Sequence, residues 1–255
     1  MAGGSQMTWN LVWNTCRESQ DHGPFNSWGR VPYLFPFPNG TISQGIKPQY
    51  DELAFNFIVA GGGANGGSFD HDDGSSFYVD HDNFEVYGGH KSDFDVRPST
   101  YRFLLFFPSC HPLFPLPPPP PRPPPPQGHA KRSFNNLHAY SNVYGSKCAG
   151  IMNLPHVAPN DFFAEGYRGN KCVLSDASAP YLDLGSGCAA DATLANRILL
   201  GNNTIYSPDA NAKISCGKSY DFAEWAALGL DAGSTVQPLP TADEIIGWAR
   251  AIFSM

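Results

Sequence analysis

The chain is poor in charge. Only 15% of its 255 residues are charged, and the net charge is −7. There is no basic surplus to neutralise phosphates, which argues against nucleic acid or an anionic membrane as partner. No apolar run reaches the roughly 18 residues that a membrane-spanning helix needs. The start, Met1-Ala2-Gly3-Gly4-Ser5-Gln6, lacks a basic stretch followed by an apolar core, so it does not read as a signal peptide. No Cys-x-x-Cys occurs. The cysteines at 16, 110, 148, 172, 188 and 216 are too few and too dispersed for a small disulfide scaffold, and they leave the redox compartment open. The Gly61–Gly67 run has no strand–loop–helix context for a nucleotide and reads as a turn. No placed Ser-His-Asp set is visible. Glu, Lys and Gln, all good helix formers, are scarce.

Gly, Asn, Ser and aromatics are plentiful instead, which is the composition of short strands joined by tight turns. Five segments share an Asn followed by apolar or β-branched residues: Asn56-Phe57-Ile58-Val59, Asn83-Phe84-Glu85-Val86-Tyr87, Asn136-Leu137-His138-Ala139-Tyr140, Asn170-Lys171-Cys172-Val173 and Asn203-Thr204-Ile205-Tyr206. Their spacings are 27, 53, 34 and 33 residues. One strand per repeat at such intervals suits a solenoid whose coils bury a face against one another. The fold expected is all-β, a right-handed parallel β-helix with asparagines laddered at the bends. An antiparallel sandwich is the alternative. One helix signal is strong: Thr241-Ala242-Asp243-Glu244 is a capping box followed by an amphipathic run. This short C-terminal helix is expected to close a solenoid end. Asp221 to Gly229 reads as a shorter helix.

Val96 to Gln127 differs from its surroundings. Its 32 residues hold 13 of the 24 prolines and no acid. Proline lacks the amide donor and fixes φ, so Pro117 to Pro121 fits neither a sheet interior nor a helix. The segment is expected to be a disordered insertion, a retained intron translated in frame, within one domain formed by 1–95 and 128–255. Removing it shortens the 53-residue spacing to 21.

Chemistry concentrates in three polar clusters. Phe69-Asp70-His71-Asp72-Asp73-Gly74 is echoed by Val79-Asp80-His81-Asp82-Asn83-Phe84 and followed by His90-Lys91-Ser92-Asp93-Phe94-Asp95. Massed carboxylates and imidazoles are costly unless hydrated, bound to a cation or engaged in proton transfer. On an extended strand Asp70 and Asp72 face one way, and His71 and Asp73 the other. Asp72, Asp73, Lys91 and His129 are the expected catalytic groups, His129 being brought close once the insertion is removed. Asp70 and Asp80 are the expected ligands of a possible Ca²⁺. His22, Trp28, Arg30, His71 and His90 are expected to contact substrate. Capping of turns by these Asp residues is the structural alternative.

Four stretches carry a resemblance. They are Asp21 to Arg30, Asp72-Asp73-Gly74-Ser75-Ser76, Phe84 to His90 with its Val-Tyr-Gly-Gly core, and Trp225 to Ser234. Together they resemble the right-handed parallel β-helix proteins of the pectate-lyase-like, polysaccharide-active kind, a resemblance that implies truncation here at the N-terminus. The resemblance implies a monomer acting on an extended glycan, such as one containing uronic acids, by elimination or hydrolysis, outside the cell or at its surface. A non-catalytic glycan-binding or structural β-helix, or an inactive relic, is the competing expectation.

Overall fold

The computed structural model describes residues 4–16, 18, 22–28, 49–59, 67–72, 75–93, 131–141, 148–152, 154, 165–176, 178, 180–191 and 193–254. The expectations for Arg30, Asp73, His129 and the proline-rich segment 96–127 fall outside the described residues.

Strands come in trios. The first is β1 (Gln6–Thr8), β2 (Leu11–Trp13) and β3 (Phe25–Ser27), and the second β4 (Asp51–Ala54), β5 (Phe57–Val59) and β6 (Phe69–His71). Next come β7 (Tyr78–His81), β8 (Phe84–Val86) and β9 (His90–Asp93), then β10 (Arg132–Phe134), β11 (Leu137–Ala139) and β12 (Ala149–Met152). The fifth trio is β13 (Glu165–Arg168), β14 (Lys171–Val173) and β15 (Leu182–Asp183), and the sixth β16 (Ile198–Gly201), β17 (Thr204–Ser207) and β18 (Lys213–Cys216). Each trio gives one strand to each of three sheets. Sheet A is β1-β4-β7-β10-β13-β16, and sheet B runs β2-β5-β8-β11-β14-β17 and ends on β20 (Thr235–Pro238). Sheet C is β3-β6-β9-β12-β15-β18, ending on β19 (Lys218–Asp221). Among the described residues every pairing is parallel except β18 with β19. The chain is thus mostly β, with parallel sheets of short strands consistent with a β-helix-like solenoid. The antiparallel sandwich is excluded. The trios on either side of the proline-rich segment are paired directly, β7 with β10 and β9 with β12.

All five Asn-led segments open strands of sheet B. Their side chains form a ladder at the A-to-B bend. Asn56 Nδ2 donates to Asn83 Oδ1 at 3.0 Å, and Asn83 Nδ2 to Asn136 Oδ1 at 3.0 Å. Asn170 Oδ1 accepts from the Asn136 amide, and Asn203 Oδ1 from the Asn170 amide. Asn10, not recognised as a repeat from the sequence, adds a rung through Asn56 Oδ1 at 2.9 Å, and Ser234 Oγ receives the Asn203 amide at the other end. The residue before each Asn is left-handed: Trp9, Phe55, Asp82, Asn135, Gly169 and Asn202 have φ between 51° and 67°. That conformation is costly for Trp and Phe. The ladder holds the bend because each amide satisfies buried backbone groups that a sharp turn exposes.

Positions alternate across each strand. In sheet B, Ile58, Glu85, His138, Cys172 and Ile205 share one face, while Phe57, Phe84, Leu137 and Lys171 share the other. Ile58 packs with Leu53, Phe69 and Tyr78 from the other sheets, which marks its face as the interior. A second interior core gathers Ile151, Tyr167, Leu182, Ile205 and Ile214. Helix α1 (Phe222–Ala227) packs on β18 and β19 and buries Trp225 in this core. Helix α2 (Ala242–Ile252) has the expected Thr241–Glu244 capping box. It does not close the end of the stack. Ile245 and Ala249 instead cover the outer face of sheet B at Phe84, Leu137, Ala139 and Val173. That face is apolar and needs cover, whereas the last trio is already closed by Trp225. Two disulfides, Cys148–Cys172 and Cys188–Cys216, stitch the later coils.

Candidate functional site

The alternation along β6 and β9 divides the polar clusters between two faces. Asp70 pairs in register with Asn26 on β3 and Lys91 on β9, and His71 with Ser27 and Ser92. Phe69 and His71 share a face, and Phe69 lies in the interior core. Asp70 and Lys91 therefore lie on the outer face of sheet C.

On that outer face Lys91 Nζ sits 2.8 Å from Asp70 Oδ1 and donates to Asp72 Oδ1 at 3.3 Å. Asn26 Nδ2 donates to Asp70 Oδ2 at 3.0 Å, and His22 Nδ1 lies 3.3 Å from the same amide. Asp70 and Lys91 are buried, while the Asp72 side chain is 18% exposed. Burial pushes the Asp70 carboxyl up to about 6, against the hydrogen bond and charge of Lys91. The structure thus unites Asp70, Asp72 and Lys91, with exposed His22 at the far end of the chain of contacts. Trp28 is exposed.

The remaining expected residues point inward. His71 Nε2 lies 2.8 Å from Asp80 Oδ2, and His90 Nδ1 lies 3.2 Å from the same oxygen. All three side chains are essentially inaccessible, so His71 and His90 are not placed to touch a substrate. Burial opposes the charge on Asp80, but His71 and His90 outweigh it and hold the carboxyl below its ordinary range. Burial also keeps the His90 imidazole below its usual value. Asp70 and Asp80, expected together as Ca²⁺ ligands, belong to different groups. Between Asp70 and Asp72 the central position is taken by an ammonium, and Ca²⁺ prefers six to eight oxygens. The residues described do not fit that ion.

Sequence reading missed a polar band inside the solenoid between the two apolar cores. Glu85 Oε1 lies 3.5 Å from His138 Nδ1, and Glu165 accepts from the Lys131 amide and from Ser92 Oγ. Burial pushes Glu165 up to about 7 against the charge of Lys131. Aligning the Asn-led repeats would have exposed part of this band, because Glu85 and His138 sit at the position filled elsewhere by Ile58 and Ile205. Sequence reading named His81 in the second polar cluster but did not foresee that its ring bridges Asp82 at 2.7 Å and Glu52 at 2.9 Å on the outer face of sheet A.

No protein-family model matches the chain, and neither any curated protein nor any solved structure does. The site is therefore argued from its own geometry.

Proposed function

We propose that the chain is a right-handed parallel β-helix protein of the pectate-lyase-like kind that cleaves an extended glycan on the outer face of sheet C. The observation that carries the reading is Lys91, whose single ammonium holds both Asp70 and Asp72. Right-handedness follows the general hand of crossovers between parallel strands in one sheet. Asp72 is the exposed end of the group and meets the substrate; Asp73, which lies outside the described residues, is proposed as the second carboxylate from the sequence alone. Lys91 positions Asp72, and Asp70 anchors Lys91 from behind. Of the two reactions such a cluster serves, hydrolysis is favoured. A buried ammonium between two carboxylates is a poor base for removing a sugar proton, whereas two nearby carboxylates are what acid-and-base cleavage of a glycosidic bond requires. The two disulfides support an oxidising compartment, outside the cell or at its surface.

The test is a screen of polyuronates and neutral glycans for new reducing ends, with ultraviolet absorbance reporting unsaturated products. Reducing ends without absorbance are expected, lost in Asp72→Asn. Absorbance would identify elimination instead. Full activity in Asp72→Asn overturns the assignment.

A second reading has its own observation. A cleft of about 310 Å³ opens beside the ladder, lined by Asp82, Asn135, Lys171 and Trp248. The Lys171 ammonium lies 5.8 Å from the centre of the Trp248 ring. An aromatic wall with polar neighbours suits non-catalytic sugar binding. Glycan binding that survives Asp72→Asn and is lost in Trp248→Ala would favour it.

A further inference from the structure

We propose that His71, Asp80 and His90 form a buried structural site for a divalent transition-metal ion of the zinc class. This site is independent of glycan cleavage, since it lies on the opposite face of β6 from Asp70 and Asp72.

Three observations converge. First, one ligand atom from each of the three side chains can be chosen so that all lie within 4.8 Å of one another. They come from three different strands, β6, β7 and β9, so the packing of two trios assembles them. Second, the donors are left over. Asp80 Oδ1 and both ring nitrogens of His90 find no hydrogen-bond partner among the described residues. His90 Nδ1 approaches Asp80 at 3.2 Å but lacks hydrogen-bond alignment. Buried polar atoms of this kind are costly when unsatisfied, and three in one cluster point to a shared partner. Third, His71 is already oriented from behind. Its Nδ1 lies 2.9 Å from Ser27 Oγ, and that hydroxyl accepts from Ser75 Oγ at 2.8 Å. His71 Nε2 bonds to Asp80 at 2.8 Å, and when a metal ion is bound, donation from Nδ1 to Ser27 frees the Nε2 lone pair to ligate it. An outer hydrogen bond that fixes the tautomer of a ligating imidazole is the usual support of a metal site.

The donor set selects the metal. Two imidazoles and one carboxylate suit zinc and its first-row neighbours, whereas calcium and magnesium demand oxygen shells. The neighbouring Glu85–His138 pair offers only two donors. Because the site is closed to solvent, the ion enters as the coils stack, and it binds the folded chain together rather than serving turnover.

The experiment uses the full chain with its disulfides intact, refolded with one equivalent of Zn²⁺ or Co²⁺ and freed of loose metal by gel filtration. We expect about one equivalent of zinc to remain, and X-ray absorption to show two imidazoles with nitrogen or oxygen completing the shell. His90→Gln should retain at least tenfold less metal, and His81→Gln should retain as much as the parent. The parent retaining no metal, a shell containing sulfur, or equal retention in His90→Gln overturns the proposal. Circular dichroism checks that His90→Gln folds. If it does not, the parent's metal content and X-ray absorption decide alone.

Discussion

Lys91 on β9 stands in register beside Asp70 on β6, and its ammonium reaches both Asp70 and Asp72. Removing it leaves carboxylates on a buried face without their counter-charge. Lys91 lowers the Asp70 carboxyl, so Lys91→Met moves Asp70 further above its value of about 6. A raised carboxyl binds its proton more tightly when folded. Its contribution to stability therefore falls as pH rises from the unfolded value toward the folded one. Lys91→Met should be destabilised by about 3 kcal/mol at pH 8, and by clearly less at pH 5. Urea unfolding at the two pH values checks this, and equal losses would rule it out.

Glu165 tests the interior band. Its carboxyl is raised to about 7 from an ordinary 4.5, so the parent loses stability as pH climbs through that window. Glu165→Gln removes the dependence. At pH 4 the variant and parent should be similar, while above pH 7 the variant gains up to about 3 kcal/mol. Thermal unfolding across the range is the measurement, and a variant with the parent's slope contradicts the assignment.

The ladder predicts unequal rungs. Asn83 accepts from Asn56 and donates to Asn136 and to the Leu53 carbonyl, all in the interior. Asn10 is exposed. Asn83→Ala should cost about 3 kcal/mol and Asn10→Ala about 1 kcal/mol, from hydrogen bonds lost and buried groups orphaned. Chemical denaturation compares them directly.

Cys148 and Cys172 close a loop of 24 residues. Replacing both by Ser should remove about 3 kcal/mol, a fall of order 10 °C in the thermal midpoint. A reductant should have little further effect on a chain that also lacks Cys188 and Cys216.

Deleting Val96 to Gln127 should leave the thermal midpoint unchanged or raise it. The trios on each side pair without that segment. A fall of several degrees would show that it contributes to the core.

The repeat was legible because the asparagines recur with the same apolar neighbours, and all five fall on one sheet. Asn10 escaped notice because 46 residues separate it from Asn56, more than the 21 to 34 that separate the others once the proline-rich segment is subtracted. The split of Asp70 and Asp72 from His71 follows from period-two alternation alone. Which side was the interior did not, since Asp, His and Lys at 70, 71 and 91 look equally polar until Phe69 is packed. His81 with Glu52 was hidden for another reason: the partners are 29 residues apart and meet only through strand stacking. The disulfides share that difficulty, because pairing depends on how the coils superpose.

The asparagine bend also decides where this chain tolerates change. Register is pinned along one corner, while the distances between successive rungs range from 27 to 53 residues. Length gained or lost at the other corners alters what projects from the stack without shifting any strand by a residue. New loops, and with them new surface chemistry, can therefore be acquired one coil at a time, while a single insertion at the Asn corner would throw every later strand out of phase.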